Sequence, residues 1–573
     1  MATMNGVVWR VGEGRPAGAG AREVARRTGA RPRGRRHAAL VVAGAAVLTG
    51  CGGGDAPAGD AGRPLVLAYA RELQTLNPLV STDQNANELI YSLLFTPLVT
   101  YDSAFRVRPW LARSWDLSPE EVVFDLREDV AWHDGAPVTA EDVKFTFDTA
   151  KDPAVASPLG SVYLSRVESA EVLGPHRIRF RFTEPHAEPL EDFFWPPVPR
   201  HAFEGVAPEQ IARHAFGRDP IGSGPYRFVS WAVGQGLEFA AADSFPADLG
   251  GVPEIGRVSY RIIPEATTRL ARLRRGEVHV DGPISPRDAE RVSGADGLRI
   301  VSFPWRQFTY IGWNTRREPF TRPEARRALA MAIDRPELLR AILLGMGRPA
   351  GSVIPPWHPY APKLEPLPHA PDSAEAIFDR LGWRDTDGDG VREIDGRPLA
   401  FEMLASNRSP VLGDLLEVIQ AQLARVGVQV RPRLLEWQTV LGMHRSREFD
   451  AVLTNWVLDN FRVDPRPLFH SSQVAIDGSA NRSSYESPVA DSLMDMGAVT
   501  AEPDEAARIW RRFAEVVQRD QPITVLFWND EVAAVRSELD GVRMDARGEL
   551  VTLPRWRWAA AEDDAVGPAG GRD

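Results

Sequence analysis

The runs Val122-Val123-Phe124-Asp125-Leu126 and Trp132-His133-Asp134-Gly135-Ala136-Pro137-Val138-Thr139-Ala140-Glu141-Asp142-Val143-Lys144-Phe145 carry the decisive local reading of this chain. Val122 to Leu126 alternates as a strand does, with successive side chains on opposite faces. Trp132 to Gly135 reads as a turn, which makes His133 structural. Thr139 is an N-cap and Asp142 stands at the third helical position, so a helix is expected over 140–149. A second strand is expected over 178–182.

Working outward, the same alternation of strand and helix recurs. An opening strand is expected over 64–70, and a helix over 85–95 that ends at Thr96-Pro97. Apolar residues at helical spacing mark further helices: Ala325, Ala328, Leu329, Ala332 and Ile333; Leu412, Leu415, Leu416, Ile419, Leu423 and Val426; Ile509, Trp510, Phe513, Val516 and Val517. Gly427 stops the second of these, and Val428 and Val430 begin a strand. Pro522 precedes a buried strand over 523–528. Helices alternating with short strands indicate α/β lobes. No period signals repeats.

Cys51 is the only cysteine in 573 residues, so no internal disulfide can form. It ends Leu48-Thr49-Gly50-Cys51, behind a short apolar run (38–47) and a cluster of Arg31, Arg33, Arg35 and Arg36. A basic region, an apolar core and a small-residue cut make a secretory signal. The cysteine resembles a bacterial lipobox, which implies lipidation of Cys51. The apolar run is too short for a transmembrane helix, which needs about 20 residues. The expected organisation is a lipoprotein-type signal peptide at 1–50, a Gly-rich flexible tether at 51–62 and a small, acidic, disordered tail at 559–573.

The whole chain carries a net charge of −11. Residues 1–50 hold nine Arg and two Glu, so the rest carries 58 basic against 76 acidic residues, a net −18. That balance argues against nucleic acid as a partner. Sixteen tryptophans divide between core packing and an aromatic-lined cavity. Enzyme signatures are scarce: H-E-x-x-H, G-x-S-x-G and G-x-x-x-x-G-K are all absent. Asp385, Asp387 and Asp389, with Gly390 in sixth place, match the start of a calcium loop. Its twelfth place is Gly396 rather than Glu, and Glu393 stands three places early. An acidic turn is therefore the reading, with no metal and no cofactor expected.

Several blocks in order resemble the extracellular solute-binding proteins of family 5, which serve peptide ABC importers. They are Phe95-Thr96-Pro97-Leu98-Val99 with Tyr101-Asp102, Pro109-Trp110-Leu111-Ala112-Arg113-Ser114-Trp115, the opening runs quoted above, Gly222-Ser223-Gly224-Pro225-Tyr226, Arg274-Arg275-Gly276-Glu277-Val278, Trp313-Asn314-Thr315, Pro319-Phe320 and Ala332-Ile333-Asp334-Arg335. The resemblance implies a two-lobed periplasmic-binding-protein type II fold, α/β, with an extra subdomain in the first lobe. Lobe I would hold 63–310, with the subdomain near 98–221. Lobe II would hold 311–529, and 530–558 would return to lobe I.

It further implies a peptide-binding subunit, not an enzyme, held outside the cytoplasm by its lipid and loading a membrane permease. A monomer is expected. A peptide ammonium enclosed in a cleft needs an opposite charge. Many peptide-binding members supply an aspartate in a stretch like W-x-x-D followed by D-P. Trp456-Val457-Leu458-Asp459 matches the first half, and Asp464-Pro465 follows after a longer gap. Asp459 is the first candidate for the ammonium and Asp464 the reserve. Arg462 is a candidate for a ligand carboxylate, and Trp456 and Trp313 are candidates for the pocket wall. A non-peptide solute such as an opine, oligosaccharide or metal chelate, a sensory binding role and a tethered hydrolase are the alternatives.

Overall fold

A computed structural model of the chain describes residues 62–458 and 460–559. Its central feature is an 11-stranded sheet that runs through the whole described body. In spatial order its strands are Gln429–Leu435, Ala400–Ser406, Ala451–Val457, Leu298–Trp313, Ile523–Arg536, Val280–Asp281, Leu65–Tyr69, Arg257–Ile262, Gly236–Ala241 and Tyr226–Ala232. Gly347–Pro349 adds to the flank of Ile523–Arg536.

Each half of this sheet contains a parallel pair joined by a crossover. Leu65–Tyr69 lies parallel to Arg257–Ile262, and Ala400–Ser406 lies parallel to Gln429–Leu435. The second pair is joined by the helix Pro410–Ala424, which buries Leu412, Leu415, Leu416, Ile419 and Leu423. Gly427 takes a φ of +79°, the left-handed turn that lets the chain leave this helix and enter the strand.

Two strands are far longer than the rest. Leu298–Trp313 has 16 residues and Ile523–Arg536 has 14. At about 3.3 Å per residue the first spans about 50 Å. They run antiparallel and join two separate cores. Phe303, Trp305, Ala533 and Val535 belong to the core around Leu65, Tyr226 and Val258. Ile311, Trp313, Leu526 and Phe527 belong to the core around Phe320, Phe401 and Ile419. Between the two cores the pairing slips: Pro304 faces Asp530 and Phe308 faces Trp528. Three residues, Trp305 to Gln307, thus oppose the single Asn529. A bulge of this kind bends the strand and redirects side chains.

The strand–turn–helix unit of the opening runs forms as expected. Glu121–Leu126 lies in a four-stranded antiparallel sheet with Ala112–Leu117, Arg177–Phe182 and Val167–Gly174. The helix Ala140–Lys151 opens on Thr139, whose N–H donates to the Asp142 carboxylate at 2.9 Å. His133 Nε2 lies 2.9 Å from the Gly224 carbonyl, which ties the turn to the glycine-rich block at 222–224.

Two expectations needed correction. The helix expected over 85–95 is α-helical only from Gln84 to Leu89, and continues as a π-turn, Ile90–Leu94. The strand expected over 523–528 continues to Arg536 through Asn529, Asp530 and Glu531. Those polar residues interrupt the apolar signal at the bulge, where side chains leave both cores.

Candidate functional site

The bulge lies where the two cores meet, and it turns Arg306 out of the sheet. The Arg306 guanidinium carbon stands 5.1 Å from the Trp305 ring centre and 5.2 Å from that of Phe461. The Arg306 Nε is buried with no hydrogen-bond partner among the described residues. Leu458 N–H donates to the Arg306 carbonyl at 2.8 Å, so the loop after the strand Ala451–Val457 is tied to the bulge.

An aromatic wall follows. Phe461 meets Tyr101 edge-on at 4.7 Å and Phe105 at 5.3 Å. Trp357 stacks on Phe105 at 4.3 Å, and Tyr101 stacks on Phe194 at 3.7 Å. Residues near position 100 and residues near positions 357 and 461 thus close on each other across this junction. Tyr101 Oη and Trp357 Nε1 are buried and make no hydrogen bond among the described residues. Buried polar groups are normally satisfied, and these two are exceptions.

Three carboxylates gather on the other side of Arg306. Glu88, from the first helix, accepts a hydrogen bond at Oε2 from Leu550 N–H at 3.3 Å. Glu549 accepts at Oε2 from the Tyr69 hydroxyl at 2.9 Å, and Tyr69 stacks on Tyr260 at 4.3 Å. Glu531 comes from the long strand beside the bulge. Burial pushes the Glu88 carboxyl up to about 7, opposed by Arg306. Burial and the neighbouring Glu88 push Glu549 up to about 8. Glu531 is also raised, by burial and then by Glu549 and Glu88. Glu531 nevertheless keeps accessible surface, the combination shown by groups that line an internal space.

A second charged group bridges the same junction at its far end. Arg462 Nη1 pairs with Asp192 Oδ1 at 2.9 Å, and His186 Nε2 stands 2.9 Å from Asp192 Oδ2. The Asp192 side chain is fully buried. Glu188 and Glu191 flank it, pushed up by burial to about 7 and about 8 and opposed by Arg462. Two other cavities, of about 20 Å³ beside Arg335 and about 540 Å³ beside Arg299 and Arg557, contain none of these groups.

The residues singled out from sequence fall in different places. Asp459 and Cys51 lie outside the described residues. Trp456 is half-buried, paired across the sheet with Phe308. Asp464 accepts from Arg466 N–H at 3.3 Å, a local turn bond. Arg462, the candidate for a ligand carboxylate, pairs instead with Asp192 of the same chain. Trp313 is corrected from wall to core: it is fully buried against Phe320 and Phe401, and its Nε1–H donates to Thr524 at 2.9 Å. Asp385, Asp387, Asp389 and Glu393 bring a carboxylate oxygen each within 4.8 Å of one another, three of the four fully exposed. Several of these oxygens already accept N–H bonds from the loop itself, from Gly388 and Gly390 among others.

Sequence reasoning missed Arg306, Glu88, Glu531, Glu549 and the Tyr101–Phe461 wall. One usable signal was present: Asn529-Asp530-Glu531 in the middle of an apolar run.

Relatives share this architecture. The oligopeptide-binding protein AppA of Bacillus subtilis is 27% identical over 518 residues, 89% of this chain and 92% of that protein. Its structure in complex with a nonapeptide superposes with a TM-score of 0.70 at 26% identity, over 87% of this chain and 99% of that one. CtaP of Listeria monocytogenes, an ABC transporter substrate-binding protein, gives a TM-score of 0.77 at 23% identity over 87% of this chain and 99% of that one. The fold is thus the type II periplasmic-binding-protein fold expected from the sequence. Among the described residues no helix is long and apolar enough to cross a membrane. Residues 106–474 match the family described as bacterial extracellular solute-binding proteins, family 5 Middle, and the chain belongs to that family.

Proposed function

We propose that this protein is the substrate-binding subunit of an ABC importer and takes peptides at the junction between its two cores. The observation that carries the reading is the wall of Tyr101, Phe105, Trp357 and Phe461, contributed from both sides, beside the bulge of the two connecting strands. A ligand that touches both sides favours the closed arrangement, and the connecting strands are where a hinge would flex. Aromatic faces and strand-like backbone accept many side chains, which suits a peptide receptor. Relatives named for oligopeptide binding support the substrate class.

Our reading keeps lobe I at 63–310 with a subdomain near 98–221, lobe II at 311–529 and a return at 530–558. The separate cores and the long connecting strands support it. Asp459 remains the candidate for the peptide ammonium; its neighbour Leu458 is tied to Arg306 and its neighbour Asn460 accepts from Arg462 N–H. The protein performs no covalent chemistry, works as a monomer, and is lipidated at Cys51 after removal of its signal peptide. Mass spectrometry of solute carried through purification, then calorimetry with Asp459→Ala, tests the reading. Peptides should co-purify, and the variant should bind them at least about tenfold more weakly, the cost of about one charged hydrogen bond. Cys51→Ser should leave binding intact and move the protein from the membrane fraction to the soluble one.

A further inference from the structure

The carboxyl groups around the bulge outnumber the cation that opposes them. Glu88, Glu531 and Glu549 act on one another, and Arg306 is the cation that opposes both Glu88 and Glu531. The nearby Asp281 already pairs with Arg269 at 2.7 Å. Two independent features mark these acids as unsatisfied within the chain. First, Glu549 is 4% exposed, yet its Oε1 has no hydrogen-bond partner among the described residues. That oxygen occupies space only a glycine leaves open: a Cβ on Gly282 would stand 1.9 Å from it. Second, Glu531 makes no side-chain hydrogen bond or ion pair among the described residues, and it keeps accessible surface. Buried carboxylates without a partner are costly, and a guest that brings a positive group relieves that cost.

We propose that Glu88, Glu531 and Glu549, gathered beside the Trp305–Gln307 bulge, form a subsite for a cationic side chain of the bound peptide, a guanidinium or a primary ammonium. The subsite rests on the peptide reading above and is separate from the ammonium clamp assigned to Asp459. Tyr69, which donates to Glu549, orients that carboxylate. Arg306 favours the charged form of the acids beside it and rejects a second guanidinium placed on the aromatic wall.

Exposure of the purified protein to a random peptide mixture two to nine residues long, containing arginine, tests this against a matched mixture containing citrulline. Retained peptides are identified by mass spectrometry after gel filtration. Wild type should retain arginine peptides over their citrulline counterparts by about tenfold or more. Glu531→Gln should bring that ratio near one while neutral peptides stay bound, which also shows that the variant is folded. Glu549→Gln serves if Glu531→Gln does not fold. Equal retention of both mixtures by wild type, or an unchanged ratio in the variants, overturns the subsite and leaves the peptide reading standing. Retention of no peptide from either mixture overturns the peptide reading and the subsite with it.

Discussion

Both oxygens of the buried Asp192 carboxylate meet a partner, whereas Glu549 leaves its Oε1 without one. Arg462 and His186 both stand 2.9 Å from the Asp192 carboxylate, and the group closes the junction from the two sides. Arg306 opposes Glu88 and Glu531, and Glu549 keeps an unpartnered oxygen. The difference separates structure from reception. The Asp192 pair holds two parts of one chain together; the acids around Glu549 are the ones we propose face a guest.

The largest effect should come from breaking the satisfied group. Asp192→Ala leaves Arg462 buried without its partner, and chemical denaturation should show a loss of about 3–5 kcal/mol. A loss below about 1 kcal/mol would mean that Arg462 swings into solvent, and the contrast between the two sites would fail.

Next in size is the contrast between two tryptophans. Trp313→Ala removes a core side chain and should cost about 3 kcal/mol or more of stability while sparing peptide affinity. Trp357→Ala should do the reverse, with a small change in stability and a clear loss of affinity. If both variants lose stability equally and bind equally, the wall is core.

A smaller effect is set by pH. Glu88 and Glu549 have folded pKa values raised above the ordinary carboxylate value, to about 7 and about 8. Glu88 faces Arg306 and Asp545; Glu549 faces Glu88, Asp281 and Tyr69. Between about pH 4.5 and pH 8 the folded state therefore holds more protons than the unfolded chain, so stability is highest at the acid end and falls as pH rises. Glu188 and Glu191, raised to about 7 and about 8, add to the same fall, so the share of Glu549 is read as the difference from a variant that lacks it. Glu549→Gln should make the fall shallower, and an identical slope in wild type and variant would contradict the assignment. The smallest effect is expected at Asp464→Ala, about 0.5 kcal/mol, from one local turn bond.

The sequence revealed the architecture better than the site. Thr139 and Asp142, the helix ended by Gly427 and the strand Glu121–Leu126 are local events, and short-range periodicity and capping report them. The long strands were harder, because residues 529–531 are polar where the chain leaves one core for the other. Glu88, Glu531 and Glu549 come from three distant segments, so no spacing in the sequence joins them. Trp313 illustrates the opposite limit: a tryptophan beside a recognisable block looks the same in sequence whether it faces a ligand or Phe320. Arg462 suggested a ligand carboxylate because its partner Asp192, 270 residues away, is invisible from its neighbourhood.

The central claim is that the junction between the two cores, and its aromatic wall, receives peptide. Isothermal titration of the purified protein and of Phe461→Ala with the peptide most strongly retained from the random mixture tests it most directly. The account predicts binding by wild type and an affinity at least about tenfold weaker in the variant, from the loss of a desolvated aromatic contact. Equal affinity in the two proteins would place the peptide elsewhere and contradict the account.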